Sequence, residues 1–154
     1  MIIAVAFDHA GFPLRDTVMA AVRTAGHELL DCGPPHAIPG DDYPDYAERV
    51  ARAIMTGRAE RAILVCGSGV GAAVAACKFA GIRASMCHDS YSAHQGVEHD
   101  AMNVLCLGAR VIGPALADEL VRIFVRAAFS GEERHRRRLA KINGFENAKR
   151  DLPQ

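Results

Sequence analysis

The run Ala62–Cys66 reads Ala-Ile-Leu-Val-Cys, and Gly-Ser-Gly-Val-Gly follows it directly at residues 67–71. An unbroken apolar run of this length is typical of a parallel strand that is buried on both faces of a sheet. Glycines directly after such a run predict a tight turn that leads into a helix. This segment therefore predicts one strand–turn–helix unit of an α/β fold.

The same alternation extends along the rest of the chain. Four further runs have the length and composition of strands: Ile2–Phe7, Glu28–Cys32, Ile82–Cys87 and Asn103–Leu107. Segments with the periodicity of helices lie between these runs. Residues that commonly begin or end helices mark their boundaries: Pro13 with Gly26, Pro44 with Gly57, Gly81 after the third helix, Asp89 or Ser90 before the fourth, and Gly131 between the last two. The pattern predicts a five-stranded parallel sheet with helices on both faces, that is, a Rossmann-like three-layer αβα sandwich.

Length and charge restrict the classes of protein that remain. The chain has 154 residues, and its 18 basic and 18 acidic side chains give a formal net charge of zero. This length fits a single domain, residues 1–154, and we expect its C-terminal helical extension at about 131–150. The charge balance argues against nucleic acid or a membrane surface as a partner. Because no apolar run is long enough to cross a bilayer and the start does not resemble a signal peptide, we expect a soluble cytoplasmic protein.

The cysteines are odd in number and scattered along the chain: Cys32, Cys66, Cys77, Cys87 and Cys106. Their spacing matches neither a disulfide framework nor a zinc site, so we expect no metal centre. Four of them are expected to be small core residues. Cys66 differs because it stands at the end of a strand, directly before the glycine-rich turn.

Two polar segments follow strands that we expect to be neighbours. Residues 8–11, Asp-His-Ala-Gly, follow the first strand, and the glycine-rich turn follows the third. In open parallel sheets, ligands bind beyond the carboxyl ends of the strands, at the point where the strand order reverses. If the strand order is 2-1-3-4-5, then Asp8, His9 and Cys66 meet in one crevice.

The glycine-rich turn suits an anion. Backbone N–H groups in such a turn converge on one concavity, which can hold a phosphate or an oxyanion and favours a thiolate beside it. The alternative is a turn whose glycines serve packing only. The segment lacks the Lys-Ser/Thr end of a nucleotide-binding loop and the spacing of a dinucleotide-binding loop. A thiol beside an oxyanion site suits proton abstraction next to a carbonyl group.

Arginines near the C terminus supply a second candidate feature. Arg134 and Arg138 are four residues apart, so they share one helix face and could hold a phosphate together with Arg110. A solvated helix face would explain the same residues. His99 lies at the end of the fourth predicted helix, about 16 Å from the crevice edge of its own sheet. It is therefore either structural or part of a crevice in another subunit.

Several segments, taken in order, resemble type B ribose-5-phosphate isomerases, within the larger family that includes galactose-6-phosphate isomerase. The similarity runs from Ile2 to about Ile142, and its most specific pieces lie at residues 7–12, 42–47, 63–71, 78–84, 88–93, 103–105 and 108–113. The resemblance implies a Rossmann-like sandwich that acts as a homodimer, or as a tetramer built from it, with sites between subunits. It also implies a phosphorylated sugar as substrate, aldose–ketose isomerisation through a cis-enediolate, and no cofactor.

The resemblance also implies roles for individual residues. Cys66 would be the base, Asp8 would carry protons between sugar oxygens, and His99 would assist ring opening. The enediolate oxygen would be held by the amides of Gly67, Gly69, Val70 and Gly71, with Ser68 alongside. His9, Arg110, Arg134 and Arg138 would hold the phosphate, and Tyr43 would line the pocket. Another branch of the family uses a glutamate where this chain has Ala72, so the chain resembles the thiol branch.

Asp100 departs from the family pattern, which usually has asparagine after the histidine. A carboxylate near the enediolate would oppose its charge unless it is protonated, turned away or paired with an arginine. The sequence therefore leaves three functions open. They are a ribose 5-phosphate isomerase, an isomerase of a six-carbon sugar phosphate such as allose 6-phosphate or galactose 6-phosphate, and a catalytically silent phosphosugar-binding protein.

Overall fold

Five parallel strands form one sheet in the computed structural model, which describes residues 1–148. The strands are β1 (Ile2–Phe7), β2 (Glu28–Asp31), β3 (Arg61–Cys66), β4 (Ala84–Met86) and β5 (Val104–Gly108), in the order β2-β1-β3-β5-β4. The register pairs Phe7 with Val65 and Cys66 with Gly108. The residues that end β1, β3 and β5 are thus level with one another at the carboxyl edge of the sheet.

Helices cover both faces of this sheet. They are α1 (Arg15–Thr24), preceded by a short 3₁₀ turn at Phe12–Leu14, α2 (Tyr43–Met55), α3 (Val70–Ala76), α4 (Ser90–Asp100), α5 (Pro114–Arg126) and α6 (Glu133–Ala148). Alternate strand residues point to opposite faces, so Ile3 and Val5 pack with α1, α4 and α5, whereas Ala4 and Ala6 pack with α2 and α3. The predicted αβα sandwich with a five-stranded parallel sheet is confirmed.

The predicted strand order is wrong for the last two strands. β5, not β4, lies beside β3, and β4 forms the edge of the sheet. All five residues of β5 are buried, whereas β4 has three residues, of which Ser85 and Met86 are exposed. A long apolar strand buries the most apolar surface in a central position, and a short strand leaves the least apolar surface exposed at an edge. The expected neighbourhood of β1 and β3 is confirmed.

Most predicted element ends lie within one or two residues of the observed ones. The prediction of Ile82–Cys87 is too long, because only Ala84–Met86 pair with β5. Gly81 does not end the third helix, since α3 stops at Ala76 and turns follow. Asp89 caps α4 as expected, because its carboxylate accepts a hydrogen bond of 2.7 Å from the Ser92 N–H.

The C-terminal part of the chain is helical from Glu133 to Ala148. The last two positions of the extension predicted at about 131–150 lie outside the described residues. Among residues 1–148, no helix combines the length and the apolar character needed to cross a membrane.

Candidate active site

The loops after β1, β3 and β5 surround a pocket of about 460 Å³ at the carboxyl edge of the sheet. Nine of the predicted site residues line it, namely Asp8, His9, Tyr43, Cys66, Gly67, Ser68, Val70, Gly71 and Arg110, together with Ala10 and Val111. The strand register accounts for this convergence, because the three loops leave the sheet at the same level. The crevice expected between the first and third strands is therefore present.

Cys66 is the last residue of β3, and only 4% of its surface is exposed. The Gly69 N–H donates a hydrogen bond of 3.1 Å to the Cys66 Sγ. Gly69 itself has a left-handed backbone, with φ of 83°, a conformation that residues with a side chain rarely adopt. A donor at this distance stabilises negative charge on the sulfur.

The same contact gives the Gly69 amide a different role from the predicted one. Its amide was predicted among the donors that face a substrate oxygen, but it is directed at the sulfur, and Gly69 does not line the pocket. The Val70 N–H is also engaged, since it donates to the Ser68 Oγ at 3.3 Å. Gly67 and Gly71 remain the glycines of this turn that line the pocket.

Asp8 lies beside Cys66, just beyond the end of β1, and it is 5% exposed. Its Oδ1 accepts a hydrogen bond of 2.7 Å from the Gly11 N–H. Burial raises the pKa of Asp8 above its ordinary value, although the Gly11 N–H and the neighbouring His9 act in the opposite direction. A carboxyl group in this condition can take up and release a proton closer to neutral pH than an exposed one.

Two basic side chains reach the pocket from the same subunit. Arg110 follows β5, its N–H donates to the Gly67 carbonyl at 2.9 Å, and its guanidinium lies over Gly67. His9 follows Asp8, and its Nδ1 is 2.6 Å from the Asp41 Oδ1. The Tyr43 ring lies across Gly71 so closely that a Cβ there would be 2.7 Å from the ring. These three side chains form the polar rim of the pocket.

Four predicted site residues lie elsewhere: His99, Asp100, Arg134 and Arg138. His99 is at the carboxyl end of α4, and Asn103, four residues on, accepts a hydrogen bond from Ala62 at the start of β3. Cys66 ends the same strand, so the sheet separates it from His99. Within one chain the predicted site residues therefore form two groups on opposite edges of the sheet.

The group around His99 is itself organised. The His99 ring stacks on His135 with 4.0 Å between centroids, and Gln95 hydrogen-bonds its Nδ1 at 2.8 Å. Burial lowers the pKa of His135, and the nearby His99, Arg134 and Arg138 lower it further. Arg134 pairs with Glu132 at 2.8 Å. Asp100 lines a second pocket of about 510 Å³ between β4, α4 and α6.

Comparison with known proteins decides the family. The pattern of the Ribose/Galactose Isomerase family matches residues 3–142. The chain belongs to this family. The resemblance noted from the motifs is thereby confirmed, and it spans nearly the whole fold described above.

Individual members of the family carry more specific names. Ribose-5-phosphate isomerase B of Escherichia coli (strain K12) is 41% identical over 144 residues, which cover 94% of this chain and 95% of that protein. D-erythrulose-4-phosphate isomerase of Pectobacterium atrosepticum is 39% identical over 129 residues, covering 84% and 85%. The structure of ribose-5-phosphate isomerase B from Mycoplasma genitalium with bound ribulose-5-phosphate has a TM-score of 0.88 and 35% identity, covering 95% of this chain and 96% of that one.

Two residues near the pocket, Asp41 and Tyr46, do not line it and were not predicted from the sequence of this isomerase-family chain. Asp41 hydrogen-bonds both His9 and Tyr46, and Tyr46 lies in the core on α2. Asp41 lies in the loop before α2, where the sequence shows no helical or strand periodicity, so it was not predicted as a site residue. The available signal was the pair Asp41-Asp42 next to the Tyr43-Pro44 start of a helix.

Among residues 1–148, no three His, Cys, Asp or Glu side chains are grouped so that they could hold a metal ion.

Proposed function

We propose that this chain is an aldose–ketose isomerase that interconverts ribose 5-phosphate and ribulose 5-phosphate. The observation that carries the proposal is the pairing of Cys66 and Asp8 at one pocket, with the Gly69 N–H directed at the sulfur. A base with a stabilised anionic form beside a proton-carrying carboxyl group is what transfer between adjacent carbons requires.

The reaction follows from these two groups. The Cys66 thiolate removes the proton from C2 of the open-chain aldose, and the electron pair moves onto the carbonyl oxygen at C1, giving a cis-enediolate. Asp8 carries a proton between the oxygens on C1 and C2. Cys66 then returns its proton to C1, which yields the ketose. The amides of Gly67 and Gly71, with Ser68, would hold the oxygen on which charge develops.

The phosphate needs positive charge at the rim of the pocket. We expect Arg110 to supply it from the same chain, with His9 beside the phosphate and Tyr43 at the side of the pocket, because all three line it. We propose that Arg134, Arg138 and His99 reach the pocket from a second subunit, with His99 assisting ring opening. The working unit would then be a homodimer, or a tetramer built from it, because one chain holds these groups on the opposite edge of its sheet.

Asp100 would also enter from the partner subunit. A carboxylate close to the enediolate opposes the developing charge, so we expect that Asp100→Asn does not reduce kcat and can increase it. Asparagine keeps the shape of the side chain and removes its charge. A silent phosphosugar-binding protein would show saturable binding without turnover, and Asp100→Asn would then restore turnover.

The decisive experiment is an assay of the purified protein against a panel of sugar phosphates, with ribose 5-phosphate first. Cys66→Ala should lower kcat by about 10³-fold or more, because it removes the base, while substrate binding is nearly kept. The matched control is Cys32→Ala, which removes a half-buried cysteine that lines neither this pocket nor the one that contains Asp100. An active Cys66→Ala variant would contradict the mechanism.

A second substrate class is favoured by the relative that is named D-erythrulose-4-phosphate isomerase. The same thiol chemistry would serve a four-carbon sugar phosphate, and six-carbon sugar phosphates test the remaining alternative. The values of kcat/KM for four-, five- and six-carbon substrates decide between them. A preference of tenfold or more for ribose 5-phosphate would support our assignment, and the reverse preference would replace it.

We further propose that the chain is one isomerase domain that works in the cytoplasm. All five cysteines lie within residues 1–148 and are free, and the mechanism requires Cys66 to stay reduced. A reducing compartment meets this requirement.

A further inference from the structure

Asp41 lies near the pocket without lining it, and both of its carboxylate oxygens accept hydrogen bonds. Its Oδ1 accepts hydrogen bonds from the His9 backbone N–H at 3.0 Å and from His9 Nδ1 at 2.6 Å. Its Oδ2 accepts a hydrogen bond of 2.6 Å from the Tyr46 hydroxyl. Only 9% of the Asp41 side chain is exposed, so these bonds are largely shielded from water.

The state of this carboxylate follows from its partners. Burial alone would raise the pKa of Asp41, but the hydrogen bonds from Tyr46 and His9 outweigh it and lower the pKa below its ordinary value. The pKa of Tyr46 is raised to about 12, first by burial and then by Asp41, so its hydroxyl stays a donor. Because an ionised carboxylate only accepts, the proton of the contact lies on His9 Nδ1.

The consequence for His9 is a fixed orientation of its ring. With Nδ1 bound to Asp41, Nε2 is the ring nitrogen that remains for a ligand in the pocket that His9 lines. The His9 side chain is 38% exposed and would otherwise sample several rotamers. Tyr46 is 3% exposed and packed in the core with α2, so the chain of contacts Tyr46–Asp41–His9 ties the ring to a rigid element.

We propose that Asp41 is a positioning residue of the substrate site: it holds the His9 imidazole with Nε2 towards the substrate phosphate. The inference rests on the proposed function, because it assigns the phosphate end of the substrate to His9. Nε2 can donate to the phosphate when the ring carries both protons, and a ring that is already held in place loses less freedom on binding than a freely rotating ring does. Asp41 thus acts through His9 and needs no contact with the substrate.

The test compares Asp41→Asn with Asp42→Asn. Both changes remove one negative charge from adjacent positions, but Asp42 is exposed and its side chain caps nothing. For Asp41→Asn we expect KM for ribose 5-phosphate to rise about tenfold with kcat within about twofold, since binding of the unreacting phosphate is affected. Asp42→Asn should leave both constants unchanged. Equal behaviour of the two variants, or a fall in kcat at constant KM, would overturn the proposal.

Two further readouts separate positioning from general damage to the fold. The ¹⁵N signals of the His9 ring should report protonated Nδ1 in the wild type and a mixture of tautomers in Asp41→Asn. Inorganic phosphate, used as the ligand, should bind about tenfold more weakly to Asp41→Asn than to the wild type. An unchanged tautomer together with unchanged phosphate affinity would contradict the assignment.

Tyr46→Phe provides a milder second variant. It keeps the ring in the core and deletes only the hydroxyl that fixes Asp41, so we expect a rise in KM of about threefold. If KM does not rise in a folded Tyr46→Phe protein, Tyr46 does not help to position Asp41.

The outcomes also separate this inference from the proposed function. If the wild type turned over no sugar phosphate, the proposed function would fail. The ¹⁵N and phosphate measurements would still decide the role of Asp41.

Discussion

The carboxyl group of Asp8 is placed where burial opposes its ionised form. It lies just beyond the end of β1, lines the same pocket as Cys66, and accepts a hydrogen bond from the Gly11 N–H. Burial raises its pKa, which suits proton transfer but disfavours the charged form in the folded protein. Reactivity at this residue is therefore gained at the expense of stability.

Asp8→Asn should separate these two effects. Asparagine can still accept from Gly11 but carries no proton for the sugar oxygens, so we expect kcat to fall about 10²-fold or more. At pH 7 the variant should be at least as stable as the wild type. A folded-state pKa above 3.8 means that the wild type loses stability as pH rises from about 4 through that pKa.

The measurement is the urea midpoint of both proteins between pH 3.5 and 7.5. The advantage of Asp8→Asn should be largest near neutral pH and should shrink as pH falls below about 4, where Asp8 becomes protonated in the unfolded chain as well. A variant that is less stable than the wild type at pH 7 would show that the ionised carboxylate is net favourable in its pocket.

At the scale of single elements, the end of α4 carries a strained backbone. Ala101 has φ of 52° and ψ of 39°, and no other non-glycine residue among residues 1–148 has positive φ. Arg83 holds this turn by donating from Nε to the Ala101 carbonyl at 2.8 Å. The left-handed conformation directs the chain from His99 and Asp100 back to β5, so the strain lies next to proposed site residues.

Replacing Ala101 by glycine should therefore stabilise the protein. An alanine side chain in this conformation costs about 1 kcal/mol, and glycine removes the steric conflict. We expect a rise in Tm of about 2–4 °C, as is usual for a chain of this size. The matched control is Ala127→Gly at the end of α5, where φ is −62° and glycine should lower Tm instead.

The edge of the sheet shows which element-level features can be predicted. Unbroken apolar runs located β1, β3 and β5, because these strands are buried on both faces of the sheet. The runs of β2 and β4 are shorter, since both strands are partly exposed. The order of β4 and β5 was predicted wrongly, because a helical connection precedes each of them and both connections are long enough to reach either position. The order is decided by burial: all five residues of β5 are buried in the central position, whereas β4 is partly exposed at the edge.

At the scale of the whole molecule, the proposed site needs two chains. This can be tested by mixing inactive variants, Cys66→Ala with His99→Ala, and allowing the subunits to exchange. If His99 comes from the partner, each mixed dimer has one intact site, and about a quarter of the wild-type activity should return. A site built from one chain would regain nothing.

The control pair is Cys66→Ala with Asp8→Asn. Both residues line the pocket of one chain, so a mixed dimer would have no intact site and should stay inactive. Recovery in the control pair, or an active monomer at all concentrations, would contradict the shared site.

Acid should destabilise the whole fold through its histidines. Burial lowers the pKa of His27, His88 and His135 below 6.5. His88 Nε2 must stay unprotonated, since it accepts a 3.0 Å hydrogen bond from Gly108 at the end of β5. Because the unfolded chain binds more protons below pH 6.5, the free energy of unfolding should fall as pH drops from 6.5 through the lowered values.

The check is the urea midpoint at pH 7.5, 6.5 and 5.5 for the wild type and for His88→Gln. Glutamine keeps an acceptor and cannot be protonated in this range, so the variant should lose less stability on acidification. An equal or steeper loss in His88→Gln would exclude His88 as a cause.

Taken by itself, the amino-acid sequence determined the strands, the αβα class and the meeting of Asp8 with Cys66, because hydrophobic periodicity and glycine-rich turns are local features. It also placed His99 on the far edge of the sheet, since helix length is local as well. Only the tertiary structure decided the order of β4 and β5, the turning of the Gly69 N–H towards the sulfur, and the contact of Asp41 with His9. The strand order and the Asp41–His9 contact depend on the packing of residues that are distant along the chain. The direction of the Gly69 N–H depends on the local backbone geometry of the turn, and hydrophobic patterns encode neither.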